Sequence, residues 1–154
     1  MKPEQQHTPL SILLADDDTD DRFFFDKALK EIPIATHLTT VNDGEQLMSY
    51  LAENSEHLPD VLFLDLNMPR KTGFECLSEI KGNEKLKDLF VVMFTISYPH
   101  NADFELTIIN LLSKIGATDY IRKTSDFAQL KKVIHNALIK AAEKGLLNEQ
   151  GKSL

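Results

Sequence analysis

Acidic residues directly follow two apolar runs of the sequence. In "ILLADDD" the acids Asp16 to Asp18 come after the run, and in "LFLDLN" Asp65 does. A carboxylate beside a buried segment is costly to desolvate unless it has a partner. Carboxylate oxygens with no histidine or cysteine nearby favour a hard cation such as Mg²⁺ over zinc. The two runs therefore predict a magnesium site.

Two further polar residues end apolar runs: Thr95 closes "VVMFT" and Lys123 closes "DYIRK". If Mg²⁺ takes one or two carboxylates, a remaining carboxylate can attack a phosphoryl group and form an aspartyl phosphate. Such a transfer depends mainly on positioning and on neutralising charge. The Lys123 ammonium and the cation would supply the charge, and the Thr95 hydroxyl would donate a hydrogen bond to a phosphate oxygen. These residue types indicate phosphoryl transfer.

The elements that must position these residues alternate between strands and helices. Apolar runs predict strands at 11–15, 36–41, 61–65, 90–95 and 119–123. Amphipathic spacing predicts helices at 19–32, 43–54, 73–83, 102–116 and 126–145. This alternation is typical of an α/β fold whose parallel sheet carries helices on both faces. In such sheets ligands bind beyond the carboxyl ends of the strands, where the acids, the threonine and the lysine would meet.

Composition narrows the class of protein. A chain of 154 residues with 27% charged residues is typical of one globular domain. The net charge of −7 argues against nucleic-acid binding, and the single cysteine allows no intrachain disulfide. The N-terminus lacks the pattern of a signal peptide, and no run is apolar enough to span a membrane, so we expect a cytoplasmic protein. We expect one domain at 10–145, with tails at 1–9 and 146–154 and no appended module.

Some acids and aromatic residues have plainer interpretations. Asp20 and Asp21 would lie in the first turn of a helix, where negative charge suits the helix dipole. The run Phe23 to Phe25 spans about 200° of a helix, so its rings cannot all face one core. We expect one partly exposed ring, and a docking contact for another protein is the less favoured alternative.

Taken in order, four segments resemble the response regulator receiver domain of two-component signalling: "ILLADD", "LFLDLNMPRKTG", "VVMFTIS" and "DYIRK". The resemblance covers about residues 10 to 142. It implies a doubly wound, flavodoxin-like (βα)5 fold with five parallel strands in the order 2-1-3-4-5. The lone-domain layout is similar to chemotaxis-type regulators, and the "DLN-P-K-G" style is similar to small phytochrome-linked regulators.

The resemblance assigns the acceptor and the metal ligands. Asp65 matches the phosphoacceptor, and Asp17 matches the direct Mg²⁺ ligand. Asp16 matches its neighbour, which acts through water, and Asn67 would lend its backbone carbonyl to the metal. The apolar residues that precede Asp16 favour the Asp16–Asp17 register over Asp17–Asp18. The cation would be Mg²⁺ or Mn²⁺.

The resemblance also assigns the switch. Thr95 matches the hydroxyl that closes on the phosphate, Lys123 the phosphate-binding lysine, and Tyr120 the rotating aromatic residue. Asn67 and Ser97 occupy positions that tune dephosphorylation. Neither is a strong base, so we expect no very fast loss of the phosphoryl group.

The resemblance implies a stand-alone response regulator. A sensor histidine kinase or phosphotransfer protein would phosphorylate Asp65, and the changed surface would bind a downstream protein, with a phosphorylation-dependent dimer as one outcome. We expect no enzymatic activity beyond the protein's own phosphorylation and dephosphorylation, and no nucleic-acid or membrane partner. Two other functions stay open at this point. An aspartyl-nucleophile phosphatase would need an acid at position 67, and a flavodoxin-like nucleotide-binding module would need a Ser-, Thr- or Gly-rich loop where "DDDTDD" stands.

Overall fold

The computed structural model describes residues 8–96 and 101–152. Its strands are β1 (Leu10–Ala15), β2 (Thr36–Val41), β3 (Val61–Leu64), β4 (Val91–Thr95) and β5 (Asp119–Arg122). Its helices are α1 (Thr19–Lys30), α2 (Gly44–Glu53), α3 (Gly73–Lys81), α4 (Ala102–Ile115) and α5 (Phe127–Lys152). All neighbouring strands pair in parallel, in the order β2-β1-β3-β4-β5. The predicted doubly wound sheet and its strand order are confirmed.

The central strands are apolar on both faces because both faces are covered. Side chains alternate across a strand, so Ile12 and Leu14 of β1 enter one core while Leu13 and Ala15 enter the other. The first core packs against α1 and α5, and the second against α2, α3 and α4. Continuous burial of β3 and β4 makes the strand ends rigid points of attachment for side chains. Of the helices described, none combines the length and the apolarity needed to cross a bilayer.

Polar side chains fix where the helices begin. The Asp18 carboxylate accepts a hydrogen bond from the backbone N–H of Asp21 and caps α1. Thr72 and Glu75 form a reciprocal capping box at the start of α3. Such caps satisfy backbone N–H groups that have no partner within the helix. They set the turns that connect each strand to the next helix.

Helix α5 continues past the glycine at which the sequence predicts its end. It runs to Lys152 because Gly145 keeps a right-handed helical backbone, whereas Gly116, with φ of 127°, ends α4. A glycine ends a helix when it adopts the left-handed region, and otherwise it only weakens the helix. The predicted tail at 146–154 therefore lies largely within a helix.

The aromatic run on α1 exposes two rings instead of the expected one. Phe25 is fully buried, whereas Phe23 is 60% and Phe24 47% exposed. The two exposed rings contact each other edge to face, with centroids 5.5 Å apart. The prediction of a single exposed ring was wrong, because the side of α1 that faces the core carries Phe25, Ala28 and Leu29 and leaves both other rings outside it.

Gly73 allows α3 to begin directly behind the end of β3. Its N–H donates a hydrogen bond to the Leu66 carbonyl at 2.8 Å, and a Cβ atom at this position would overlap the carbonyl oxygen of Asp65. The small residue thus lets the helix support the strand end that carries Asp65.

We expect Gly73→Ala to lower the free energy of unfolding by about 1–3 kcal/mol, because the added methyl group must displace backbone. Gly145→Ala is the matched control, since a Cβ atom there meets nothing within 4 Å. Urea unfolding of both variants measures the difference. Equal losses in the two variants would contradict this account of Gly73.

Candidate functional site

Two buried carboxylates lie side by side at the carboxyl edge of the sheet. The N–H of Asp16 donates to the Val41 carbonyl at 3.1 Å, and that of Asp65 donates to the Ala15 carbonyl at 3.0 Å. These bonds extend the strand ladders by one residue and fix both side chains. Asp16 is 0% and Asp65 4% exposed. The sheet therefore places two acids where water screens the repulsion between their charges only weakly.

Lys123 brings a positive charge to the pair from the far end of the chain. It follows β5, and its N–H donates to the Thr95 carbonyl at 2.7 Å. Its Nζ lies 2.8 Å from Asp16 Oδ2, 2.8 Å from Asp21 Oδ2 and 3.2 Å from Asp65 Oδ2. The predicted meeting of Asp16, Asp65, Thr95 and Lys123 at one edge is confirmed. Asp21 also joins the site, although the sequence predicts only an effect on the helix dipole for it.

Three carboxylates fit the cation that the sequence predicts. One oxygen from each of Asp16, Asp17 and Asp65 lies within 4.8 Å of the others. Asp17 is exposed, so the group opens to solvent on one side. Mg²⁺ takes oxygen ligands, usually one or two carboxylates completed by water. Asp18, the alternative in the other register, caps α1 instead.

Burial makes the ionised acids costly. Desolvation raises the pKa of Asp65 to about 6, against the opposing effect of the Lys123 charge, and the neighbouring Asp16 adds to the rise. Desolvation also raises the pKa of Asp16 above its ordinary value. Burial by itself would lower the pKa of Lys123, but its close contacts with the Asp16 and Asp21 carboxylates raise it above its ordinary value. The lysine is therefore held in its charged form.

Thr95 and Asn67 differ in their burial and in their hydrogen bonds. The Thr95 hydroxyl is fully buried and has no hydrogen-bond partner among the described residues. A buried hydroxyl without a partner is uncommon and costs stability. Such a hydroxyl is available to donate a hydrogen bond to an acceptor oxygen of a ligand. Asn67 is exposed, and its N–H donates to Asp65 Oδ1 at 3.3 Å. Ser97, predicted to tune dephosphorylation, lies outside the described residues.

Comparison with known proteins decides the family. Residues 12–135 match the family model of the response regulator receiver domain. The chain belongs to this family. It is 34% identical over 118 residues to the response regulator Rcp1 of Synechocystis, an alignment that covers 72% of this chain and 80% of Rcp1.

Solved receiver structures have the same architecture. The Mn²⁺-bound form of Rcp1 aligns with a TM-score of 0.69 and 32% identity, covering 83% of this chain and 91% of that one. The phosphorylated cyanobacterial phytochrome response regulator RcpA aligns with a TM-score of 0.69 and 29% identity, covering 84% and 91%. Receiver domains bind Mg²⁺ or Mn²⁺ and take phosphoryl groups from histidine kinases, and the acidic cluster of this receiver fits that chemistry.

The sequence did not point to Glu105, a buried acid on α4 of the receiver. Its side chain is 3% exposed, and its Oε1 lies 2.7 Å from Nε of Arg122. The Tyr120 hydroxyl is 3.5 Å from the same oxygen. Glu105 thereby connects α4 to the residues of β5 that include the predicted switch tyrosine. An acid on a helix gives no signal of this contact in the sequence, because the contact depends on how α4 packs against β5.

We expect Asp65→Asn to stabilise the metal-free receiver at pH 8 by about 1–3 kcal/mol. Because the folded state holds the Asp65 proton up to about pH 6 and the unfolded chain releases it near its ordinary value of 3.8, ionisation of Asp65 costs stability as pH rises between these values. The gain should therefore fall to nothing as pH approaches 4. Urea unfolding in EDTA at several pH values measures it. A gain that does not vary with pH, or one shared by Asp20→Asn, would contradict the assignment.

We expect Arg122→Met to lower the free energy of unfolding by about 1–3 kcal/mol, because the buried Glu105 carboxylate loses its cationic partner. Arg70→Met is the control, since Arg70 is exposed and lies 3.6 Å and 3.8 Å from its acids. Its effect should stay within about 0.5 kcal/mol. Similar values for the two variants in thermal or urea unfolding would show that Glu105 does not depend on Arg122.

Proposed function

We propose that this receiver is a phosphorylation switch whose acceptor is Asp65. A sensor histidine kinase or phosphotransfer protein donates the phosphoryl group in the presence of Mg²⁺. The observation that carries the proposal is the position of the Lys123 ammonium, 3.2 Å from the Asp65 carboxylate. At the end of the adjacent strand lies the Thr95 hydroxyl, which has no hydrogen-bond partner within the part of the chain that the structure describes. One group can neutralise phosphoryl charge, and the other can donate a hydrogen bond to it.

The chemical step is an attack by carboxylate oxygen on phosphorus. An Asp65 oxygen forms the new P–O bond while the P–N bond of the phosphohistidine breaks, and the imidazole nitrogen keeps the electron pair and takes a proton. A pKa of about 6 leaves Asp65 mostly ionised at neutral pH. Lys123 offsets charge on the phosphoryl oxygens, and Thr95 donates its hydroxyl hydrogen to one of them. Asp16, Asp17, Asp65 and the Asn67 carbonyl would hold Mg²⁺, which would supply further positive charge when bound.

Phosphorylation then shifts a conformational equilibrium. Thr95 moves toward the phosphoryl oxygen, and Tyr120 turns inward into the space that the threonine leaves. A ligand shifts such an equilibrium only if it contacts the two states differently. The surface formed by α4, β5 and α5 changes its affinity for a downstream protein or for a second copy of the chain. The output is protein–protein signalling in the cytoplasm, without turnover of other substrates.

The site favours this function over the two alternatives. A phosphatase would need a proton donor two residues after Asp65, and the Asn67 amide has no acidic proton to give. A nucleotide-binding module would need phosphate-binding N–H groups after β1, where Asp16 and Asp17 place negative charge instead. The same lack of a strong base at Asn67 argues against very fast self-dephosphorylation.

We expect Asp65→Asn to abolish labelling by acetyl phosphate in Mg²⁺, because the amide is not a nucleophile. Asp20→Asn, which removes a neighbouring exposed charge, should keep labelling near the wild-type level. Phosphate-affinity electrophoresis and intact mass spectrometry measure the phosphorylated fraction. Full labelling of Asp65→Asn would place the acceptor elsewhere.

A further inference from the structure

Asp21 makes one of the two shortest contacts of the site lysine. Its Oδ2 lies 2.8 Å from Lys123 Nζ, closer than the acceptor Asp65 at 3.2 Å. Asp21 is in the first turn of α1, and its backbone N–H donates a hydrogen bond to the Asp18 cap. The contact joins α1 to the residue that follows β5. It is therefore a tertiary interaction within the site, in addition to any effect on the helix dipole.

The contacts of Lys123 match the number of its donors. An ammonium group has three N–H donors. Three carboxylates lie around Nζ, those of Asp16, Asp21 and Asp65. Nζ donates hydrogen bonds to Asp21 and Asp65 and forms an ion pair with Asp16. A phosphoryl oxygen on Asp65 therefore enters a space around Nζ that three carboxylates already occupy, and it must compete with them for the ammonium.

The three acceptors differ in how easily they can be released. The side chain of Asp16 is 0% exposed, that of Asp65 5% and that of Asp21 34%. Releasing a buried carboxylate leaves its charge without solvent, which is costly. Asp21 can be hydrated as it leaves, because a third of its side chain already meets solvent. Asp65 stays beside Nζ because it carries the phosphoryl group, so the comparison is between Asp16 and Asp21, and Asp21 has the smaller cost of exchange.

We propose that Asp21 is a positioning residue that holds Lys123 in the resting state and is displaced from it by the phosphoryl group. This inference rests on the proposed function, with Asp65 as acceptor. Asp21 competes with the phosphoryl oxygen for one N–H of Lys123, and its charge repels the incoming group. It therefore sets a threshold that phosphorylation must overcome.

The test compares Asp21→Asn with Asp20→Asn. Both remove one charge from the same helix turn, but only Asp21 contacts Lys123. The probe is beryllofluoride, a mimic of the phosphoryl group, titrated in saturating Mg²⁺ and followed by ¹⁹F NMR. We expect Asp21→Asn to bind it about three- to ten-fold more tightly than the wild type. Asp20→Asn and the charge-preserving Asp21→Glu should stay within about two-fold of the wild type.

A second readout needs neither metal nor phosphoryl mimic. In metal-free protein the ¹⁵N signal of the Lys123 ammonium should shift in Asp21→Asn and stay near its wild-type position in Asp20→Asn. Both variants remove one negative charge from the first turn of α1, and urea unfolding measures how far this loss alone changes their stability. Unchanged or weaker beryllofluoride binding by Asp21→Asn, with Asp65 still labelled by acetyl phosphate, would overturn the role of Asp21 alone. Loss of Asp65 as the labelled residue would overturn the proposed function and this inference together.

Discussion

The structure of the site depends on one buried ion cluster, formed by the Lys123 ammonium with the carboxylates of Asp16 and Asp65. Two neighbouring parallel strands necessarily bring their carboxyl ends to the same edge, so an acid after each strand creates repulsion that the fold must offset. Lys123 offsets it from a third strand end, and its backbone is tied to Thr95 by a 2.7 Å hydrogen bond. The sheet topology therefore determines the electrostatics of the site, because it brings the two acids and the lysine to one edge.

The site lowers the stability of the fold in return for reactivity. The raised pKa of Asp65 means that its ionised form is held against desolvation, and the Thr95 hydroxyl is buried without a partner among the described residues. Both costs fall when a cation and a phosphoryl group arrive, because these provide charge and acceptor oxygens. The surrounding apolar strands and Gly73 keep the arrangement from relaxing. Packing of the strands therefore supports the ligand-free site together with the ion cluster around Lys123.

The sequence was sufficient to predict which four polar residues meet at the carboxyl edge of the sheet. Asp16, Asp65, Thr95 and Lys123 each follow an apolar run, and parallel topology alone gathers them. Contacts made by helices could not be predicted in this way. Asp21 and Glu105 look like ordinary acids of a first helical turn, because their partners depend on the rotation of a helix against the sheet. The course of α5 past Gly145 was missed for a similar reason, since a backbone angle decides it.

Side-chain alternation along β5 connects the two halves of the molecule. Ile121 packs into the core shared with α1 and α5, while Tyr120 packs into the core shared with α4. Lys123 contacts Asp21 of α1, and Arg122 beside it contacts Glu105 of α4. Neighbouring residues at the end of one strand therefore join the acidic site to helices on opposite faces of the sheet. Because Lys123 and Arg122 are adjacent in the backbone, a displacement of this strand end would act directly on the contact between Arg122 and Glu105 of α4.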